Sequence, residues 1–154
     1  MSEQAKNLEI LAPAGSREAF FAAIHSGADA VYLAGKQFGA RAYAANFDLD
    51  ELCGLLRYAH LRGVSVYVAV NTLLKDAEFS AALEFCRRLY EIGADALIVQ
   101  DIGLAAELAA AYPQLPLNAS TQMTLHNSAG VRFMERFGFR RAILAREVSL
   151  SDIR

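Results

Sequence analysis

Polar side chains follow six short apolar runs of the chain, at the points where the runs end. Burying such groups without hydrogen-bond partners is costly, so their repeated placement indicates a functional surface. The candidate catalytic residues at these points are Asn71, Gln100, Asp101, Gln122, Arg146 and Glu147. The candidate substrate-binding residues are Arg41, Asn46, Ser120 and His126. Helix capping is the structural alternative for Ser16 and Asp101, and mutual pairing is the alternative for Arg146 and Glu147.

No complete set of catalytic or metal-binding residues can be assembled from the sequence. None of the 3 histidines stands at metal-ligand spacing from another, and no Ser–His–Asp set can be argued from spacing alone. Cys53 and Cys86 do not form a CxxC pair, which argues against a disulfide framework and against a zinc site. We therefore expect buried free thiols, with neither a metal nor a cofactor held by this chain.

The composition predicts a cytoplasmic protein. Hydrophobic residues make up 55% of the chain and charged residues 21%, which is ordinary for a soluble globular protein. Residues 1–7 are polar and no long apolar run follows them. This pattern argues against a signal peptide and against a membrane-spanning segment, so no membrane partner is expected.

The apolar runs alternate with segments whose apolar residues recur every three or four positions, as they do on one face of a helix. The runs cover residues 8–12, 30–33, 64–70, 96–99, 115–118 and 141–144. Strands that are apolar throughout and separated by helices indicate a parallel sheet covered by helices. The sequence GADA occurs at 27–30 and again at 93–96, each time between a helical pattern and a run. Because ligands bind beyond the carboxyl ends of parallel strands, the polar candidates are expected at one rim.

Six strands and five complete helices predict an α/β fold, a parallel (β/α) barrel-like domain of TIM type. A closed eight-stranded barrel usually needs about 250 residues, so this chain is expected to form an incomplete barrel. We assign residues 1–7 to a disordered tail and residues 8–154 to the partial barrel. The missing units then lie in a continuation of the chain, or self-association covers the open sheet edges. An open doubly wound sheet is the alternative, although no GxGxxG follows the first run.

The charge of the chain is unevenly distributed. The formal net charge of -2 gives no general reason to expect nucleic-acid binding. Residues 130–154 nevertheless contain more basic than acidic groups, and the basic ones are Arg132, Arg136, Arg140, Arg141, Arg146 and Arg154. Solvation is the ordinary explanation for such arginines, and a contact with phosphate or RNA is the alternative.

A series of short motifs, in order along the chain, resembles peptidase family U32, the collagenase-like proteases. The motifs are LAPAG at 11–15, GADAVY at 27–32, FGAR at 38–41, VNT at 70–72, DALIVQD at 95–101, ASTQ at 119–122 and ARE at 145–147. The resemblance implies a TIM-like N-terminal domain, truncated before the cysteine cluster that is characteristic of the family. It transfers no established nucleophile or metal ligand to these positions.

The resemblance also implies a choice of functions. The first is a peptidase, a hydrolase acting on a peptide or protein substrate. Related family members take part in hydroxylation of transfer or ribosomal RNA with an iron–sulfur cluster, which makes RNA modification the alternative. The full-length protein is thus expected to be an enzyme. Without the rest of the barrel, the 154-residue piece by itself is expected to be inactive, and a purely structural or binding role is the third possibility.

Overall fold

Strands and helices alternate along the chain in the computed structural model, which describes residues 8–40 and 47–153. The strands are β1 (Leu11–Pro13), β2 (Ala30–Ala34), β3 (Ser65–Val70), β4 (Ala96–Val99), β5 (Leu117–Ala119) and β6 (Phe139–Ala142). The helices are α1 (Arg17–His25), α2 (Leu49–His60), α3 (Asp76–Glu91), α4 (Ile102–Ala111) and α5 (Ser128–Arg136), with a 3-10 turn at Thr121–Met123. The predicted tail and the candidates Arg41 and Asn46 lie outside the described residues.

All neighbouring strands of the sheet are parallel, and their order in space, β1-β2-β3-β4-β5-β6, is their order in sequence. A doubly wound sheet would reverse its order at a switch point, and this sheet does not. The sheet is curled, as the contact between its two ends shows: Glu9, just before β1, accepts hydrogen bonds from Arg141 of β6 on the concave side. The structure therefore confirms the α/β class and the incomplete TIM-type barrel.

The sheet buries apolar side chains on both faces. On the convex face, residues such as Val66, Leu97 and Leu117 pack in one core with the helical residues Leu56 and Leu104. The concave face carries a second cluster, made by Ala30, Tyr67, Ala69, Ala96 and Ile98. Burial on both faces explains why the strands lack an alternating polar pattern. The small alanines on the concave face leave room that the cleft described below occupies.

The predicted strands needed correction at the ends of the sheet. The structure begins β1 at Leu11 instead of residue 8, and β6 spans Phe139–Ala142 instead of 141–144. The neighbouring strand β5 spans Leu117–Ala119 instead of 115–118. Leu8 and Ile10 are 95% and 62% exposed, so these two apolar side chains are not buried against the described part of the chain. Pairing with a neighbouring strand, and not hydrophobicity alone, decides where a strand begins and ends.

The repeated GADA sequence has one structural role at both of its positions. Gly27 and Gly93 each adopt a φ of 89°, a left-handed conformation that glycine takes without steric cost. The aspartates that follow accept hydrogen bonds from backbone amides of neighbouring strand segments. Asp29 Oδ2 accepts from Ile10 N at 2.8 Å, and Asp95 Oδ2 accepts from Val66 N at 2.7 Å. Each repeat thus ends a helix and ties the following strand to its neighbour.

Candidate functional site

A cleft of about 450 Å³ opens on the concave face of the sheet, towards the carboxyl ends of the strands. Its lining residues are Leu11, Tyr32, Ala40, Ala69, Asn71, Ile98, Ser120, Thr121, Gln122, Ile143 and Arg146. The apolar ones belong mainly to the concave face of the sheet, and the polar ones follow β3, β5 and β6. Four of the sequence-predicted candidates therefore meet here: Asn71, Ser120, Gln122 and Arg146.

Asn71 connects two loops of the rim. Its Oδ1 accepts a hydrogen bond from Ala40 N at 3.1 Å, and its Nδ2 donates to Ser120 Oγ at 3.3 Å. Ser120 is 2% exposed, and its Oγ also accepts from Gln122 N at 3.3 Å. This network fixes the segments after β2, β3 and β5 relative to one another, so Asn71 positions the rim.

The segment that leads from β2 towards the rim is closely packed. Phe38 has a φ of 59°, and its carbonyl oxygen accepts a hydrogen bond from Thr72 Oγ1 at 3.3 Å. A Cβ atom on Gly39 would lie 2.8 Å from Ala34 Cβ, a separation too short for two carbon atoms. Glycine is therefore required at position 39. The hydrogen bond from Thr72 stabilises the left-handed backbone of Phe38, the residue before it.

Arg146 brings a positive charge to the mouth of the cleft. Its side chain is exposed, and no ion pair or hydrogen bond joins it to another residue within 8–40 and 47–153. The alternative that Arg146 pairs with Glu147 is thus not observed. A free guanidinium at a cleft can hold a phosphate or carboxylate through two parallel hydrogen bonds.

Four other candidates within the described residues, Gln100, Asp101, His126 and Glu147, are absent from this lining. Asp101 caps α4 by accepting from Leu104 N at 2.9 Å, and its second oxygen accepts from Leu74 N at 3.3 Å. His126 Nδ1 lies 2.8 Å from the carbonyl oxygen of Thr124, and this histidine lines a separate depression beside α5. Gln100 and Glu147 do not line the cleft. The predicted N-cap role is confirmed for Asp101, and also for Ser16, whose Oγ accepts from Ala19 N at 3.2 Å.

A charged cluster on the concave face was not predicted from the sequence. Arg141 donates to both carboxylate oxygens of Glu9, at 2.7 and 3.1 Å, and the hydroxyl of Tyr67 donates to the same carboxylate at 3.0 Å. Arg141 also lies over the Tyr67 ring, 5.3 Å from its centroid. A bulge of β6 opposite β5 brings Arg141 into register with Asn118. These partners are 58 and 132 residues apart in sequence, so no local pattern signals the contact.

The environment shifts the protonation of this cluster. The hydrogen bond from Arg141 lowers the pKa of Glu9, against a smaller opposing effect of burial. Burial is the main cause that raises the pKa of Tyr67, which is 7% exposed. Glu9 therefore stays ionised as an acceptor and Tyr67 stays protonated as a donor at neutral pH.

Comparison with known proteins identifies the family. The sequence model of peptidase family U32 matches residues 15–154. The chain belongs to peptidase family U32. A solved structure of a U32 peptidase superposes with a TM-score of 0.73 at 16% identity, over 92% of this chain and 60% of that one. At that identity the likeness shows the fold alone, and it agrees with the incomplete barrel.

The relatives of this U32 chain have different names and functions. It is 40% identical, over its whole length, to the 23S rRNA 5-hydroxycytidine C2501 synthase of Escherichia coli, and covers 23% of that protein. It is 32% identical to the tRNA hydroxylation protein P1 of Bacillus subtilis, over 97% of this chain and 35% of the relative. It is also 32% identical to a collagenase of Porphyromonas gingivalis, over 96% of this chain and 35% of the relative. The chain thus spans about a third or less of the length of these relatives.

The described part of the U32 chain offers neither a metal site nor a membrane-spanning helix. Among the described residues, no group of three or more histidine, cysteine or acidic side chains is arranged to hold a metal ion. Within the same residues, none of the helices has the length and apolar character needed to cross a membrane. The free cysteines lie on different helices, Cys53 on α2 and Cys86 on α3, and Cys86 is buried in the apolar core.

Proposed function

We propose that the protein takes part in the hydroxylation of RNA, and that the cleft holds the nucleotide to be modified. The observation that carries this proposal is the character of the described lining: amide and hydroxyl groups and the guanidinium of Arg146. No carboxylate or histidine is among the described lining residues. The 40% identity to a ribosomal RNA synthase over the whole chain supports the same function.

The groups at the rim suit the parts of a nucleotide. The Gln122 amide offers both a donor and an acceptor, which is what the edge of a nucleobase requires. Arg146 can hold the phosphate through two hydrogen bonds. A cleft of about 450 Å³ falls within the range of small-ligand sites, roughly 300–1,000 Å³. We therefore assign recognition of the nucleotide to this part of the protein.

The cysteines of this chain do not fit an iron–sulfur cluster of the kind expected from the family resemblance. Cys86 is fully buried among apolar side chains, and Cys53 lies on a different helix. Cluster ligation uses several thiolates that converge on one site. We propose that any such cluster is held by residues outside this chain, and we assign no step of the reaction to it here.

Proteolysis is the second candidate, and the collagenase relative favours it. Peptide hydrolysis needs an activated nucleophile or a metal-bound water. Ser120 is the best-placed hydroxyl, but it is buried and already accepts hydrogen bonds from Asn71 and Gln122 N. Under this alternative, the nucleophile or metal site would come from another part of the full-length protein.

A genetic experiment tests the proposed function. Digested ribosomal and transfer RNA from a strain lacking the gene is analysed by mass spectrometry for hydroxylated nucleosides. We expect one hydroxylated nucleoside to disappear and the wild-type gene to restore it. Arg146→Ala and Gln122→Ala should each lower its level roughly tenfold, since a bidentate contact contributes about 1–3 kcal/mol. An unchanged nucleoside profile in the deletion strain would overturn the proposal.

Matched controls and the alternative function complete the test. Arg57→Ala and Gln114→Ala remove the same side chains from exposed positions on α2 and before β5, outside the cleft lining, and should restore the nucleoside fully. The purified full-length protein is also incubated with denatured collagen. Cleavage that copurifies with the protein and is lost in Arg146→Ala would favour the peptidase.

A further inference from the structure

The outward face of α5 carries arginines and an aromatic ring at helical spacing. Arg132, Phe133 and Arg136 are exposed. Arg136 follows Arg132 by four residues and Phe133 by three, so it lies beside both on one face of the helix. On the opposite side of the helix, Met134 is buried in the core and Val131 packs against it. We call Arg132, Phe133 and Arg136 the α5 face.

The arginines of the α5 face have no acidic partners among the described residues. No ion pair or hydrogen bond joins Arg132 or Arg136 to a carboxylate in that part of the chain. The outer face of α3 provides the contrast. There Arg87 pairs with Glu84 at 2.6 Å and also with Glu91. The charge of α3 is neutralised internally, and that of the α5 face remains available to a partner.

Phe133 is an exposed aromatic ring in this basic surrounding. It is 50% exposed, and its centroid lies 4.9 Å from that of Phe137, at an interplanar angle of 56°. Phe137 packs against the core and so supports the ring from the side that faces the protein. A single supported ring on the same helix face as two arginines offers a stacking surface, and it is too small to be a purely apolar docking patch.

We propose that the α5 face binds an unpaired segment of RNA, separately from the cleft. The proposal rests on the proposed function and names the surface that holds the body of the RNA substrate. Guanidinium groups bind phosphates through paired hydrogen bonds, and an exposed ring stacks on an unpaired base. An acidic peptide would satisfy the arginines but would give Phe133 no matching base, so RNA fits both features of the face.

The test measures RNA binding by the full-length protein. The probe is a fluorescently labelled single-stranded RNA of about 12 nucleotides, long enough for one stacking groove, followed by anisotropy over a series of salt concentrations. Phe133→Ala is expected to weaken binding about tenfold, because one base loses its stacking partner. The double variant Arg132→Ala/Arg136→Ala should reduce the slope of log Kd against log salt by about 1.4, since each single-strand phosphate contact contributes about 0.7.

Two controls match these changes on α3. Tyr90→Ala removes another partly exposed ring, 38% exposed, that also lies 4.9 Å from an aromatic neighbour. Arg87→Ala/Arg88→Ala removes two arginines that are paired with acids. Both controls should bind like the wild type. Arg132→Gln/Arg136→Gln, which keeps the length of the side chains and removes the charges, replaces the alanine double variant if that variant unfolds.

The outcomes separate this proposal from the function it rests on. Wild-type binding that the α5 variants leave unchanged, or that the α3 controls weaken equally, would overturn the assignment of the surface. Failure of the wild type to bind the single-stranded RNA would overturn it as well. So would an acidic peptide that binds the wild type and loses affinity in the α5 variants to the same extent as the RNA does. The nucleoside profile of the deletion strain does not depend on the α5 face, so it reports on the proposed function alone.

Discussion

Cys53 and Cys86 differ in their access to water, and this difference predicts their reactivity. Cys86 is fully buried, and burial raises its pKa to about 12, whereas Cys53 on α2 is only half-buried. Since the thiolate is the reactive form, iodoacetamide at about pH 8 should modify Cys53 and leave Cys86 intact in the folded protein. Mass spectrometry of peptides from native and urea-unfolded samples measures this. Equal modification of both cysteines in the native protein would contradict the placement of Cys86.

The sequence predicts a residue's role well when its partner is near in the chain. The capping roles of Ser16 and Asp101 could be predicted because an N-cap and its amide are three residues apart. Asn71 and Ser120 are 49 residues apart, so no local pattern predicts their hydrogen bond. The sequence predicts only that the two residues lie at the same rim, because each follows the end of a parallel strand. The position of His126 after β5 predicts a place near the rim, but the structure puts it at the separate depression beside α5, beyond the turn at Thr121–Met123.

At the scale of elements, α2 depends on the capping box that begins it. Asp48 Oδ1 accepts from Glu51 N at 2.9 Å, and Glu51 Oε2 accepts from Asp48 N at 2.9 Å. We expect Asp48→Ala to lower the free energy of unfolding, because it removes the N-cap of α2 and the ion pair with Lys36 at 3.2 Å. Asp50→Ala, which removes a neighbouring exposed carboxylate without a capping bond, should cost less. Urea denaturation of the two variants measures the difference, and equal losses would refute the capping role.

The central elements could be predicted more accurately than those at the edges of the sheet. β3 and β4 are flanked by strands on both sides, so their apolar runs coincide with the paired segments. β1 and β6 have one neighbour each in the described sheet, and their limits follow from pairing that no run of side chains reveals. The bulge that brings Arg141 into register with Asn118 is a feature of the backbone pairing. No residue type in the sequence predicts it.

At the scale of the whole molecule, the incomplete barrel is joined across its concave face. Glu9 precedes β1 and Arg141 belongs to β6, so their ion pair connects the two ends of the sheet. Tyr67 of β3 donates to the same carboxylate and ties the middle of the sheet to this pair. The two sheet edges beyond β1 and β6 stay unpaired among the described residues, and self-association through them remains a prediction that light scattering can test.

The ion pair between Glu9 and Arg141 predicts how stability changes with pH. Arg141 lowers the pKa of Glu9 in the folded protein below the unfolded value of about 4.3. Ionised Glu9 therefore stabilises the fold fully above that value, and this contribution disappears as pH falls through the folded pKa.

Glu9→Gln keeps the acceptor for Tyr67 and removes the charge, so it should cost at most about 1 kcal/mol at neutral pH for a partly exposed pair. Urea denaturation across a pH series should show the difference between wild type and variant shrinking once the pH falls below the unfolded pKa, and disappearing below the folded pKa of Glu9. Glu107→Gln on α4, an exposed position with no ion pair among the described residues, should follow the wild type throughout. A Glu9→Gln deficit that persists unchanged at low pH would mean that packing, and not charge, joins the ends of the sheet.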